Sequence, residues 1–542
     1  MHLMRTLAAA ALLVSAAGCS DVLEVTNPND PDRERILARP SDVEGLASSQ
    51  FQQIISATLG SIARVQTGMM TASFENASGL ANNGLGPRSG IPRQPIDNNR
   101  GNAYQAENFN DFRLLSSVAR NSADILARAK ADDFALPTGN ADLVRLKAWT
   151  HFTYGVALGY LSLVYDSAGV PRPDDDPSAV PPLESYSAVN QWALMQFDSA
   201  IAYANAGMSS LPSGWLTGPG GASVSAADFV RVVRSFKARM RAGVARDPAE
   251  RAAVDWNAVI DDATNGIQAD FNITYDPSNG WDHAWMATTL HFRDANWHQM
   301  TYYIIGMADT TGAFDAWLAT PRSARVPFLI RTPDERFPSG NTRADQNANM
   351  GKYFRNRDPG GDQAGTGWQN SQYDHYRFRA WADAARNGEK PFFTKAENDM
   401  LAAEGYIRTG NIPAAAALID NTRTANGLPA LSGAVANATD PVPGGNACVP
   451  RVPVGPNFTT TACGNIMEAM KWEKRMETAY TTYGGWFFDG RGWGDLPIGT
   501  PVQWPVPVDE LDARIIPPYN MGGVGLPGGA GSSTYGYGEG DR

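Results

Sequence analysis

The stretch Trp281 to Tyr303 carries Trp281, His283, Trp285, His291, Trp297, His298, Tyr302 and Tyr303, interleaved with Asp282, Asn296 and Gln299. Sugar rings present apolar C–H faces and a rim of hydroxyls. Proteins meet them with flat aromatic rings beside amide, carboxylate or guanidinium partners. The composition therefore points to glycan binding, with Trp281, Trp285, Trp297 and Tyr302 as stacking candidates. Taken singly, each of these aromatics reads more readily as core, and it is their density in a polar segment that carries the signal. Glu473 and Glu477 sit about one helical turn apart with Arg475 between them, which opens two readings. One is a carboxylate pair for glycoside hydrolysis. The other is an ion-pair and aromatic cluster with Trp486, Phe487 and Trp493 that locks the C-terminal segment in place. The spacing of His283, His291 and His298 fits no common metal motif, and Asp174-Asp175-Asp176 reads as a solvated loop rather than a calcium site. There is no nucleophile elbow, zinc-protease helix, phosphate-binding loop or dinucleotide fingerprint. No enzyme activity, metal or cofactor is expected.

The elements that must position these residues belong to a long, acidic chain. Its 542 residues exceed what one hydrophobic core holds, and a hydrophobic fraction of 43% supports a packed interior. The net charge of −11, with no basic run to override it, makes nucleic acid an unsuitable partner. Residues 1–18 read as an export signal: Arg5 precedes the apolar stretch Leu7 to Val14, too short to span a bilayer. Ser15-Ala16-Ala17-Gly18 then runs directly into Cys19, which resembles a bacterial lipobox with Ala16 where Leu is usual. Cys19 is the expected acylation site, and residues 19–40 the lipid anchor and tether. Cys448 and Cys463 remain as an even pair in an exported protein. A disulfide is expected there, with two buried free thiols as the alternative.

Apolar residues at three- and four-residue spacing predict helices over Leu46 to Gln66, Phe112 to Lys130, Ala141 to Tyr165 and Tyr186 to Ala204. The same holds for Ala226 to Ala245, Trp256 to Gln268, Lys395 to Arg408, Ala414 to Ala425 and Ile466 to Tyr480. Several come as pairs. The clearest turns at Thr409-Gly410-Asn411, with Pro413 just inside the second helix, in the usual capping asymmetry. These pairs predict a mainly α, tetratricopeptide-like repeat scaffold with long irregular loop insertions. The body is expected over 41–521, with repeat helices mainly in 41–270 and 392–485, a binding-loop region at 271–391 and a disordered Gly-rich tail at 522–542.

Four blocks, in order, resemble the SusD/RagB family of outer-membrane nutrient-binding lipoproteins. They are the lipobox with Ser20 to Val25; Leu146 to Pro171; Lys395 to Leu428; and Ile466 to Glu510 with its Trp486-Phe487-Phe488-Asp489, Arg491-Gly492-Trp493-Gly494 and Pro505-Val506-Pro507 runs. Gly490 and Val506 depart from the family pattern. The resemblance implies a surface-exposed outer-membrane lipoprotein that captures oligosaccharides and delivers them to a SusC-like TonB-dependent transporter, without chemistry of its own. Capture of peptides or another polymer is the alternative on the same scaffold. By region, the resemblance also implies that an N-terminal loop supplies polar partners, here Asn98 and Arg100 beside Asn99 and Tyr104.

Overall fold

The computed structural model describes residues 33–539 apart from 62–63, 79–84, 177, 285–297 and 358–370. The acylation candidate Cys19 lies outside the described residues, as do Trp285 and Trp297.

The chain is mainly α-helical. Its scaffold is α1 (Ala106–Ala129), α2 (Asn140–Val164), α3 (Tyr186–Asn205), α4 (Ala226–Gly243) and α5 (Trp256–Thr264), followed by α6 (Lys395–Arg408), α7 (Ile412–Arg423), α8 (Ile466–Thr478), α9 (Gly485–Trp493) and α10 (Val508–Ala513). Neighbours in sequence pack as pairs: α1 on α2, α2 on α3, α6 on α7. Local chemistry explains the starts. Ser185, Ser225, Thr394 and Asn465 each accept a hydrogen bond from the backbone N–H three residues on, satisfying a donor that the first turn leaves open. Asn411 does the same for α7, where Pro413 occupies the first turn at no cost in hydrogen bonds.

Helix α2 is the axis of the core. From Trp149 to Val164 every side chain except His151 is buried, the signature of a helix with no solvent face. The N-terminal helices Pro40–Ser48 and Gln50–Thr58 pack on α1 and α2. Trp149 Nε1 donates to Ala47 O at 2.7 Å, tying them to that axis. The single helix expected over Leu46 to Gln66 is instead broken, since a Cβ at Gly60 would lie 2.8 Å from Ser56 O.

The binding-loop region is not a detached insertion. Strands β1 (Phe271–Tyr275) and β2 (Gly388–Phe393) pair antiparallel across it, and the chain between them contributes Phe314, Trp317 and Tyr373 to the main core. Two boundaries also differ from expectation. Arg33–Ala38, assigned to the tether, is helical and held to α1 by Arg33 Nε against Asp124 at 2.6 Å. The tail is docked rather than disordered over 522–539: Tyr535 and Tyr537 are buried, and the Tyr537 hydroxyl donates to Tyr303 O. Gly536, at φ +68°, permits the turn, because a Cβ there would meet the Phe458 ring at 2.1 Å. Among the described residues no helix is long and apolar enough to cross a membrane.

Candidate functional site

The N-terminal loop expected to supply polar partners is built against the C-terminal segment. Ile96 N donates to Met521 O at 2.7 Å, and Asn98 N to Asn520 Oδ1 at 2.9 Å. The Asn98 side chain is wholly buried, donating to Val506 O at 2.8 Å and accepting from Val508 N at 3.2 Å. Asn98 is therefore a staple: both ends of its amide bond the backbone that leads into α10, and its complete burial keeps it from the surface. Arg100 sits outside it, largely exposed, with Nη1 2.6 Å from Asp509 and Nη2 2.5 Å from Asp512. It clamps the loop to α10 while leaving its stem at the surface.

Between this loop and the short helix Leu85–Ser89 lies a cavity of about 220 Å³, walled by Arg88, Gln94, Asp97, Asn102, Tyr104, Glu107 and Trp504. Trp504 is held by its own backbone, which donates to Val164 O at 2.8 Å, and its ring lies edge-on to Phe487 at 5.3 Å. Arg88 donates from Nη2 to Pro95 O at 2.9 Å, while among the described residues its Nη1 meets no acceptor and Glu107 Oε1 meets no donor. Both residues are buried. Burial raises the Glu107 carboxyl from 4.5 to about 8 against the opposing pull of Arg88, and burial lowers the Arg88 guanidinium to about 10. At neutral pH Glu107 is thus mostly a neutral acid that can donate as well as accept, beside a guanidinium that donates. Buried polar atoms without partners are costly, and these two lie in the walls of the cavity.

The aromatic candidates divide. Trp281 is buried against Phe51, ring centroids 6.2 Å apart. Tyr302 is fully buried, stacked on Phe328 at 4.2 Å, with its hydroxyl donating to Phe328 O at 2.7 Å. Neither ring offers a face to a sugar; both are core, and the expected platform is corrected at these two positions. Tyr303 is buried on Phe74 and accepts from Arg325, and His283 is buried beside Tyr275. Trp285 and Trp297 fall outside the described residues. The backbone nonetheless joins the two predicted regions, because Ala77–Ser78 pairs antiparallel with His298–Gln299. The end of the aromatic segment thereby lies along the strand that leads toward Arg88.

The carboxylate pair Glu473 and Glu477 is sealed. Arg336 Nη1 donates to Glu473 Oε2 at 2.8 Å and to Glu477 Oε1 at 3.2 Å, and Tyr353 donates to Glu477 Oε2 at 2.6 Å. All three charged groups are buried, so the cluster joins α8 to the 334–336 loop and presents nothing to a substrate. Among the described residues no group of His, Cys, Asp and Glu is arranged to hold a metal. Cys448 and Cys463 form a disulfide, Cα atoms 5.7 Å apart, at the edge of a small core under α7 and α8. Sequence reasoning missed Arg88 and Glu107. The only available signal was their placement in or beside the long polar loop 76–108, since an acid in the first turn of a helix also reads as a complement to the helix dipole.

Solved structures share this fold over most of the chain. A SusD-like protein from Bacteroides fragilis NCTC 9343 matches with a TM-score of 0.56 at 13% identity, covering 91% of this chain and 98% of that one. A SusD superfamily protein from Bacteroides thetaiotaomicron VPI-5482 matches at 0.52 and 11%, covering 87% and 96%. A laminarin-binding SusD-like protein matches at 0.50 and 12%, covering 90% and 99%. No family model and no curated protein matches the chain. At these identities the likeness is one of architecture: the chain has the SusD-like fold.

Proposed function

We propose that this protein is a cell-surface glycan-binding lipoprotein, anchored in the outer membrane at Cys19, that captures oligosaccharides and passes them to a SusC-like TonB-dependent transporter. The observation that carries the reading is the pocket lined by Arg88, Tyr104, Glu107 and Trp504 on a SusD-like fold, in whose walls two buried polar atoms have no protein partner among the described residues. A cavity of about 220 Å³ is smaller than the ~300–1,000 Å³ of drug-sized sites and suits one sugar ring or the end of a chain. Trp285 and Trp297 remain proposed as stacking residues for the same ligand. The protein performs no chemistry on its ligand. That one structural neighbour binds laminarin makes soluble β-glucans the first ligands to try.

The test is binding of the full chain to a panel of soluble plant and microbial polysaccharides and to a peptide mixture. Binding to at least one glycan, with Arg88→Gln weakening it, is the expected result. Binding to peptides alone would replace glycan capture with peptide capture on the same scaffold. Cell fractionation of Cys19→Ala addresses the anchor: the variant should leave the membrane fraction, and its retention there would overturn acylation at Cys19.

A further inference from the structure

A second cavity lies on the other side of α10. It measures about 420 Å³ and is walled by one stripe of α1, namely Phe109, Phe112, Arg113, Ser116, Ser117 and Arg120, facing the 169–181 loop. The three- and four-residue spacing of that stripe places all six side chains on one face of the helix. The neighbouring faces of α1 pack against α2 and the N-terminal helices. This face is neither apolar throughout nor solvated throughout. Phe112 is buried and meets Tyr165 edge-on at 4.9 Å, Phe109 is half-buried, and Arg113 lies over the Phe109 ring at 5.9 Å.

Its electrostatics are lopsided. Glu510, the carboxylate on the rim, is held by Arg514 at 2.7 Å. Asp174 on the facing loop pairs with Lys130 at 3.0 Å, and Asp175 accepts from Arg172 N at 2.8 Å. Arg120 makes one hydrogen bond, from Nη2 to Ala179 O at 3.1 Å, and neither Arg113 nor Arg120 has a carboxylate partner among the described residues. Two guanidiniums thus face a cavity on a chain whose net charge is −11.

We propose that this cavity binds an acidic sugar unit, with its carboxylate or sulfate on Arg113 and Arg120 and its ring against the half-buried Phe109. The inference rests on the glycan-capture reading above and names a ligand class for a separate subsite. Guanidinium forks match planar carboxylates in two parallel hydrogen bonds, and the Phe109 ring can meet the C–H side of a sugar ring. Ser116, Ser117 and Asn121 add hydroxyl and amide partners along the same wall, which suits a polyhydroxylated acid better than a hydrocarbon acid or the C-terminus of an apolar peptide.

The experiment is calorimetric titration of the full chain with oligogalacturonate, its methyl ester, a sulfated galactan oligosaccharide, a neutral β-glucan oligosaccharide, and a peptide with a free apolar C-terminus. The expected result is binding of the uronate or the sulfated oligosaccharide, at least tenfold weaker for the esterified uronate if the uronate is the ligand. Arg113→Gln alone, and more so Arg113→Gln with Arg120→Gln, should weaken acidic binding at least tenfold while neutral binding and melting temperature stay unchanged. Acidic binding that survives the double variant, or no acidic binding beside intact neutral binding, overturns the subsite and leaves glycan capture standing. Preference for the free-carboxylate peptide over every saccharide overturns both.

Discussion

Behind helices α6 to α9, Arg251 and Arg336 direct every guanidinium nitrogen at a protein acceptor, whereas in the pocket beside the 87–108 loop Arg88 Nη1 meets no acceptor and Glu107 Oε1 no donor among the described residues. Arg251 is wholly buried and bonds Glu404 twice, at 2.9 and 2.6 Å, and Asp489 at 3.0 Å. The consequence shows in the titration of the two acids. Burial pushes the Glu404 carboxyl up, but Arg251, Arg408 and Lys474 together outweigh it and hold it at about 2. Burial pushes Glu107 to about 8 with only Arg88 opposing. Equal burial with unequal partnering separates a structural charge from one left open to a ligand. That contrast distinguishes the Arg251–Glu404 network from the pocket that sequence alone does not mark; in the Glu473–Glu477 cluster, which looks catalytic in sequence, burial still raises the Glu473 carboxyl against the pull of Arg336.

The largest expected effect comes from breaking the paired region. Glu404→Leu leaves Arg251 buried without its main partner and should destabilise the fold by about 3–5 kcal/mol, read as a drop in denaturant midpoint. If the variant melts like the parent, the network is not holding α6 to the Arg251 segment. Removing the disulfide as Cys448→Ser with Cys463→Ser should cost about 3 kcal/mol, since the cross-link closes a 15-residue loop. Glycan affinity should be untouched, because the bridge lies in the small core under α7 and α8; a change in affinity would contradict the separation of the two regions.

Glu404 and Glu107 should also respond to pH in opposite senses. Glu404 has a folded value below its ordinary 4.5, so its contribution is present above about 4.5 and is lost as pH falls toward 2. Glu107 has a folded value above 4.5, so its contribution is present below about 4.5 and is lost as pH rises through 8. Glu75, raised to about 8, and Asp111, raised to about 7, act in the same sense as Glu107. Glu107→Gln should therefore flatten, by a few degrees, the decline in melting temperature between pH 5 and pH 8.5. An unaltered slope would show that Glu107 does not titrate there.

The scaffold was legible because its signals are local. Helix α6 spans Lys395–Arg408 as its periodicity predicts, and α3 differs from prediction by one residue. Trp281 and Tyr302 were illegible for the opposite reason. Their partners, Phe51 and Phe328, lie 230 and 26 residues away, and the polar residues around them have partners of their own, as Asp282 does in Arg386 at 2.7 Å. Aromatic density in a polar segment thus marks, at these two positions, a segment folded back into the core. Asn98 was found in the right loop with a different role, because a buried amide stapling two backbones and an exposed amide bonding a sugar are the same residue in sequence. The Gly-rich tail read as disordered because composition does not register that Tyr535 and Tyr537 have a groove to enter.

Glycan capture at the Arg88–Glu107 pocket is tested most directly by Glu107→Leu, an apolar replacement of similar length, titrated with the glycan that the parent binds and melted in parallel at pH 7. Removing a buried polar atom that has no protein partner should leave the melting temperature equal or higher. Removing its bond to a ligand hydroxyl should weaken binding about tenfold, or ~1.4 kcal/mol. Unchanged affinity, or a loss of affinity matched by a loss of melting temperature, would show that Glu107 serves the fold and not the ligand.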